Sequence, residues 1–242
     1  RIHGLGKRSQ LHTGLIMSDK RPTLAEGFAN AKQHEGKKVT AVLPNIDKNN
    51  KGSVGGEFEK KIGIPKSSER CDYRDGGDCK TLKFEKGKPA ESCDIIMLQE
   101  ILDEAMNNVS FYESAVFEKI QQVHFAPINK DGDIDEWTFG KNFVISKETH
   151  PELYKQFEIE YDRITKNIRT LVNSGKHIGA TEVNQGRTNK YLEIRPKGQG
   201  GGKSKNTWNG VTITKPKAKS AYSYYFKEVG LKSIYNDYLT TN

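Results

Sequence analysis

The stretch of residues 51–84 constrains this chain most, because it places carboxylates and a lysine around one predicted strand. Asp72 leads into a glycine turn, and Asp78-Cys79-Lys80 begins the strand. Successive side chains of a strand point to opposite faces, so Asp78 and Lys80 are expected on one face and Cys79 on the other. A carboxylate and an ammonium group then share one small site.

This combination of side chains is suited to phosphodiester hydrolysis. Two carboxylates from different elements can hold Mg²⁺, a hard cation that prefers oxygen ligands and keeps several of its waters. A lysine beside the ion can orient or deprotonate a water, or stabilise the charge that develops on a phosphate. The competing interpretation is an ordinary Asp-Gly-Gly-Asp turn followed by a solvated Asp-x-Lys pair. Taken alone, the pattern favours this second interpretation.

Further short motifs follow in a fixed order from about residue 20 to the C-terminus. They are Gly52-Ser53-Val54-Gly55, Phe58-Glu59, Asp72, Asp78-Cys79-Lys80-Thr81, Lys119 before the apolar strand 123–128, Tyr191-Leu192-Glu193-Ile194-Arg195-Pro196-Lys197 and a closing Tyr-Phe-Lys helix. In content and order this series resembles the MutH-type branch of the PD-(D/E)XK nucleases. That branch contains the mismatch-repair nicking endonuclease and related GATC-cutting restriction enzymes.

The resemblance implies a fold, an activity and a set of partners. The fold would be α/β and restriction-endonuclease-like, with a mixed central sheet flanked by helices and two lobes around a DNA cleft. The activity would be sequence-specific, Mg²⁺-dependent cleavage of DNA at a GATC-like site, with Mn²⁺ as a substitute ion. The expected partners are double-stranded DNA and, for a repair nickase, a mismatch-repair activator protein.

The resemblance also assigns roles to individual residues. Asp72 and Asp78 would ligate the metal, and Lys80 would position the attacking water. Glu59 and Lys119 would support this site. Three residues are expected near the DNA, the last two of them where family members sense the bases or their methylation: Lys51, Tyr225 and Lys227.

Two departures from the family pattern leave the metal geometry open. Asp75 competes with Asp72 for the role of first carboxylate, since the segment is one residue shorter than the commonest spacing. The order of the motifs favours Asp72. Asp78 stands where close relatives usually carry Glu, and its shorter side chain must bring the backbone or the metal closer.

The strand predicted at residues 191–195 adds cations that suit DNA contacts. Leu192 and Ile194 are expected to face the core, which leaves Tyr191, Glu193, Arg195 and Lys197 on the other face. Two cations on one strand face are suited to phosphate or base-edge contacts. The glycine-rich loop that follows contains Lys203, and glycine allows the backbone to approach a phosphate closely.

The net charge of +8 over 242 residues supports a polyanionic partner, because the Lys and Arg residues are spread along the chain. A solvated basic surface without a partner is the alternative. The length fits one substantial domain, expected at residues 21–242, after a flexible or trimmed segment at residues 1–20.

The three cysteines, Cys71, Cys79 and Cys93, lack the spacing of a zinc site, so ordinary packing in a reducing compartment is expected. The sequence contains no apolar run long enough to span a membrane and no signal peptide, which favours a cytoplasmic protein. Its oligomeric state is left open.

The remaining elements follow from apolar spacing and turn signals. Residues 95–106 fit either a strand that runs into a helix or a helix throughout. Helices are predicted at residues 23–33, 55–62, 112–120 and 151–175, strands at residues 121–128 and 138–146 around a hairpin turn and at 211–213, and a final helix after residues 222–226.

Two other functions compete with the nuclease. A catalytically inactive DNA-binding module would keep the fold, and the departures at Asp72 and Asp78 favour it. An RNA-processing nuclease would share the charge argument.

Overall fold

A computed structural model of the protein describes residues 19–47, 49–184, 188–197, 207–214 and 221–241, with the side chain of Lys51 left out. The N-terminal segment predicted to be flexible or trimmed lies outside these residues apart from Asp19 and Lys20. Lys203 lies outside them as well.

Eight α-helices form within these ranges, and local sequence signals explain where several of them begin. Thr23 and Glu26 form a reciprocal capping box at the start of the first helix. Pro151 begins the longest helix, where its missing N–H removes no helical hydrogen bond. The helices are α1 (Leu24–Lys32), α2 (Val39–Val42), α3 (Val54–Lys61), α4 (Leu98–Met106), α5 (Ala115–Ile120), α6 (Pro151–Asn173), α7 (Ala180–Val183) and α8 (Glu228–Thr241).

Ten strands in the described residues form a mixed sheet, a smaller antiparallel sheet and a hairpin. They are β1 (Asp78–Glu85), β2 (Lys88–Pro89), β3 (Cys93–Met97), β4 (Gln122–Asn129), β5 (Thr138–Phe139), β6 (Phe143–Ser146), β7 (Leu192–Pro196), β8 (Thr207–Trp208), β9 (Val211–Thr212) and β10 (Tyr222–Phe226). The mixed sheet has the order β2-β1-β4-β5, and β6 also pairs with β4. Among the described strand pairs of this sheet, β1 and β4 alone are parallel. The smaller sheet has the order β3-β10-β7.

Two hydrophobic clusters pack on opposite faces of β1. Leu82 and Phe84 belong to the larger cluster, which includes side chains of α4, α6, α8 and the three-stranded sheet. Cys79 belongs to the smaller cluster, together with Val54 and Phe58 of α3. The alternation predicted for the start of this strand is therefore confirmed. The predicted α/β class is confirmed too, since helices flank a mixed sheet.

Most predicted elements are present. Residues 222–226 lead into the final helix, as predicted, and they do so as a strand between β3 and β7, because alternating aromatic residues suit a paired strand. Two details are wrong. The return strand at residues 138–146 is split into β5 and β6. Tyr191 precedes β7, so strand alternation does not apply to it, and its ring packs against Phe157 in the core.

Residues 95–106 form a strand that runs into a helix, which is one of the two predicted alternatives. Among the described residues, no helix has both the length and the apolar character needed to cross a membrane.

Candidate active site

Asp78 is the centre of the candidate site. Its side chain is 1% exposed, and its Oδ2 atom lies 2.8 Å from Lys80 Nζ and 3.0 Å from Lys119 Nζ. Lys80 follows two residues later on β1, whereas Lys119 lies in the last turn of α5, just before β4. Because β1 pairs with β4, the two ammonium groups reach one carboxylate from neighbouring elements.

A glycine turn brings Asp72 back to Asp78. Asp78 Oδ1 accepts a hydrogen bond from the Asp72 backbone N–H at 3.2 Å, and Asp72 Oδ2 accepts one from the Cys79 backbone N–H at 3.0 Å. Gly77 has a φ of +80°, and a Cβ atom there would lie 2.1 Å from the carbonyl oxygen of Gln122. Glycine is therefore required for the turn to lie this close to β4.

The competing carboxylate, Asp75, lies elsewhere. Its Oδ1 atom accepts a hydrogen bond from the Leu24 backbone N–H at 2.9 Å, in the first turn of α1, and its side chain is exposed. The structure thus brings Asp72, and not Asp75, next to Asp78.

Helix α3 places Glu59 near the same carboxylates. The helix approaches β1 closely at Gly55, where a Cβ atom would lie 3.0 Å from Thr81 Oγ1. Burial, and then the charge of Asp72, raise the pKa of Glu59 to about 7. Burial, and then the charge of Asp78, also raise the pKa of Asp72. Burial and repulsion between neighbouring carboxylates both act in this direction.

Lys80 is held in its charged form. Burial alone would lower the pKa of Lys80, but the carboxylates around it, led by Asp78, hold this pKa above its ordinary value. At neutral pH the side chain is an ammonium group that donates hydrogen bonds. Orienting a water is compatible with this state, whereas taking a proton from the water is not.

The donor atoms of the site suit a hard divalent cation. Within the part of the chain that the structure describes, no three His, Cys, Asp or Glu side chains form a ready metal-binding group. Mg²⁺ does not need such a group, since it usually binds through one or two carboxylates and keeps several waters. The carboxylates of Glu59, Asp72 and Asp78 face two ammonium groups, so a cation would offset the remaining negative charge. Asp72 and Asp78 could hold it.

An open cleft of about 560 Å³ lies beside the two lysines. Its wall contains residues of β1, β3 and α5, so both sheets contribute to it. The charged residues that line it are Arg70, Lys80, Lys119 and Lys197, and the acidic Glu69, Asp94 and Glu100. A ligand in this cleft would therefore contact the lysines that hold Asp78.

Three residues predicted to bind DNA lie on or next to the outer face of the three-stranded sheet. Ile194 packs in the larger cluster, so Arg195 lies on the opposite face of β7. The Arg195 guanidinium carbon is 5.6 Å from the centre of the Tyr225 ring. Lys197 Nζ lies 2.8 Å from Asp94 Oδ2 and reaches the cleft.

The other three residues predicted to contact DNA are Lys227, which has a different contact, and Lys51 and Lys203, whose side chains are outside the described part of the structure. Lys227 Nζ donates a hydrogen bond to the backbone carbonyl of Asn189 at 2.5 Å, so this ammonium group fixes the chain before β7. Lys51 begins the short 3₁₀ helix Lys51–Ser53, and its side chain is not described. Lys203 lies outside the described residues.

The sequence analysis did not predict a buried polar network that begins at Tyr73, the residue after Asp72. The Tyr73 hydroxyl lies 2.6 Å from His124 Nδ1, and His124 Nε2 lies 2.8 Å from Asn142 Oδ1. The signal in the sequence was a single histidine within an otherwise apolar strand, because a buried imidazole needs polar partners.

Comparison with known proteins identifies no family for this chain, since no family model and no curated protein matches it. Its function is therefore inferred from the residues of the site.

Proposed function

We propose that the protein is a Mg²⁺-dependent DNA endonuclease of the MutH type that hydrolyses phosphodiester bonds at a GATC-like site. The observation that carries this proposal is the buried Asp78, which lies between two lysine ammonium groups and beside Asp72, at a cleft with further cations. The net charge of +8 supports a polyanionic ligand. The ordered motifs of the sequence support the family.

The proposed reaction gives each residue a separate task. A water loses a proton and attacks the phosphorus, the bond to one bridging oxygen breaks, and that oxygen takes a proton from solvent as it leaves. Lys80, as an ammonium group, would hold the water and stabilise negative charge on the phosphate. Glu59, with a pKa of about 7, could take the proton from the water near neutral pH. Mg²⁺ held by Asp72 and Asp78 would add Lewis-acid stabilisation of the phosphate charge.

The finer fold proposal is a restriction-endonuclease-like domain with two lobes around a DNA cleft. It is supported by the position of the acidic site at the start of β1, next to a cleft to which both sheets contribute. Phosphates of double-stranded DNA in this cleft would contact Lys80, Lys119 and Lys197. For a repair nickase, a mismatch-repair activator would be a second partner.

A catalytically inactive DNA-binding module is the second candidate. One oxygen of Asp78 is already paired with both lysines, which is a stable arrangement without any metal ion. The Asp at this position, where relatives carry Glu, also favours it.

Cleavage of a supercoiled plasmid rich in GATC sites separates these candidates. We expect nicked or linear product in Mg²⁺ and none in EDTA, and the ratio of the two products distinguishes a nicking from a restriction enzyme. Methylated plasmid tests sensitivity to methylation, and competitor RNA tests the RNA-processing alternative. A plasmid that is bound but never cut, even in Mn²⁺, would favour the inactive module.

Replacing Lys197 with alanine is expected to weaken DNA binding to the same degree for all sequences. One phosphate contact would be lost, so the plot of the logarithm of the binding constant against the logarithm of the salt concentration should become less steep by about 1. The measurement is fluorescence anisotropy of a labelled duplex over a range of salt concentrations.

Lys155→Ala is the matched control for this substitution. Lys155 is an exposed lysine of α6, which packs on the core side of the three-stranded sheet, away from Lys197. We expect the Lys155→Ala protein to show the same salt dependence of DNA binding as the wild type. If the Lys197→Ala protein has the wild-type salt dependence, Lys197 does not contact a DNA phosphate.

A further inference from the structure

Four side chains form a hydrogen-bonded chain behind Asp72. The Tyr73 hydroxyl lies 2.6 Å from His124 Nδ1, and His124 Nε2 lies 2.8 Å from Asn142 Oδ1. Asn142 Nδ2 donates to Glu35 Oε1 at 3.1 Å, and the Asn142 backbone N–H donates to the same oxygen at 2.8 Å. Tyr73 and His124 are both 0% exposed, so their hydrogen bond is made away from solvent.

The Glu35 carboxylate, at one end of this series of hydrogen bonds, determines which atom is the donor and which the acceptor in each of them. Glu35 can only accept, so Asn142 presents its amide nitrogen to Glu35 and its oxygen to His124. His124 therefore donates from Nε2. Burial lowers the pKa of His124 to about 4, so the ring is neutral and Nδ1 accepts. The Tyr73 hydroxyl is therefore the donor to Nδ1.

Tyr73 is also held by helix α1 and by its own turn. A Cβ atom at Gly27 would lie 2.5 Å from Tyr73 Cε1, so the absence of a side chain there lets the ring reach His124. The Tyr73 backbone N–H donates to the Gly77 carbonyl at 3.3 Å and closes the glycine turn. The turn between the two acidic residues of the site is thus fixed at Tyr73.

We propose that Tyr73 and His124 are positioning residues, which hold the Asp72 carboxylate where the reaction needs it. Asp72 directly precedes Tyr73, and its Oδ2 atom accepts from the Cys79 backbone N–H at 3.0 Å. Cys79 pairs with His124 in the register of β1 and β4. The histidine therefore lies next to the residue whose N–H binds Asp72, as well as next to Tyr73. The inference rests on the proposed function in one respect, that Asp72 takes part in the reaction.

Two substitutions disturb this anchor without changing Asp72. Tyr73→Phe removes only the hydroxyl group, and Gly27→Ala displaces the Tyr73 ring. For both variants, the Mg²⁺ concentration that gives half-maximal plasmid cleavage is expected to rise about tenfold, as is common when a group that orients a metal ligand is lost. DNA affinity should stay the same. Amide hydrogen exchange at Cys79 should become faster, because this N–H donates to the displaced carboxylate.

Each substitution has a matched control. Tyr161→Phe removes a hydroxyl group that donates to the Val109 carbonyl at 3.4 Å, within the larger cluster. Gly56→Ala adds a methyl group to α3 at a position where, apart from the backbone of the helix itself and the two neighbouring residues, no atom lies within 4 Å. Both controls are expected to keep the wild-type Mg²⁺ requirement and the wild-type exchange rate at Cys79.

Three outcomes are informative. A folded Tyr73→Phe protein with an unchanged Mg²⁺ requirement and unchanged exchange at Cys79 would overturn the proposal. An equal change in the controls would also overturn it, since the effect would then reflect general stability. If the wild-type protein cleaves no DNA, the proposed function fails, and the exchange rate at Cys79 still decides whether the anchor holds Asp72.

Discussion

Replacing Asp78 with asparagine is expected to lower the rate of Mg²⁺-dependent DNA cleavage by about a thousandfold or more. Asparagine keeps the shape of the side chain but cannot balance the ammonium groups of Lys80 and Lys119, and it is a weaker ligand for a hard cation. Loss of the one carboxylate that both ammonium groups contact directly should also lower the free energy of unfolding by about 3 kcal/mol. Single-turnover cleavage and urea denaturation measure these two effects.

Asp75→Asn is the control for this substitution, because it makes the same chemical change in the same glycine turn. Asp75 accepts a hydrogen bond from α1 and lies away from the two lysines. Its variant is expected to cleave DNA at close to the wild-type rate. An Asp78→Asn protein that cleaves as fast as the wild type would exclude Asp78 from the reaction.

Replacing Glu59 with glutamine is expected to stabilise the metal-free protein at pH 8 and to reduce its activity. Burial, and then the charge of Asp72, raise the pKa of Glu59 from 4.5 to about 7. The folded protein therefore binds more protons than the unfolded chain between these two pH values, and its stability falls as the pH rises through this range. Above pH 7 the full cost, about 3 kcal/mol, is present in the wild type and absent in the variant.

Urea denaturation in EDTA at several pH values measures this difference. The gain in stability should be largest at pH 8 and should disappear below about pH 4.5, where both side chains are neutral. Glu57→Gln is the control, since Glu57 lies on the same helix, is half exposed and pairs with Lys60 at 2.6 Å. It should change stability little at either pH. A Glu59→Gln protein that is less stable than the wild type at pH 8 would contradict the proposed repulsion.

These two substitutions have opposite expected effects on stability, and the reason is physical. Asp78 contacts both ammonium groups directly, so its loss leaves Lys80 and Lys119 without the carboxylate that they share. Glu59 is an additional carboxylate in a partly dry site, so its loss relieves repulsion. An excess of acidic groups that reduces stability is common where function requires the charge.

Local sequence patterns predicted the centre of the site well. The Asp-x-Lys pattern at the start of β1 follows from strand alternation, and the structure joins Asp78 to Lys80 directly. Lys119 depends on how α5 lies next to β1, which no local pattern determines. Its place beside Asp78 was expected from the resemblance alone.

Long-range packing explains what the sequence could not reveal. Lys227 was expected near the DNA, and its ammonium group contacts the Asn189 carbonyl, 38 residues earlier in the chain, which no local pattern could predict. The choice between Asp72 and Asp75 depended on α1, because its first turn binds Asp75. The network of Tyr73, His124 and Asn142 joins segments far apart in the chain, so spacing could not predict it.

The most direct test of the proposed function is single-turnover cleavage of a GATC-containing duplex, in Mg²⁺ and in EDTA, by the wild-type protein and Lys80→Ala. We predict that the wild type cleaves only in Mg²⁺, and that Lys80→Ala binds the duplex but cleaves it at least about a thousandfold more slowly. A wild-type protein that binds the duplex and leaves it uncut in Mg²⁺ and Mn²⁺ would contradict the proposed activity. Equal cleavage by Lys80→Ala would contradict the proposed site.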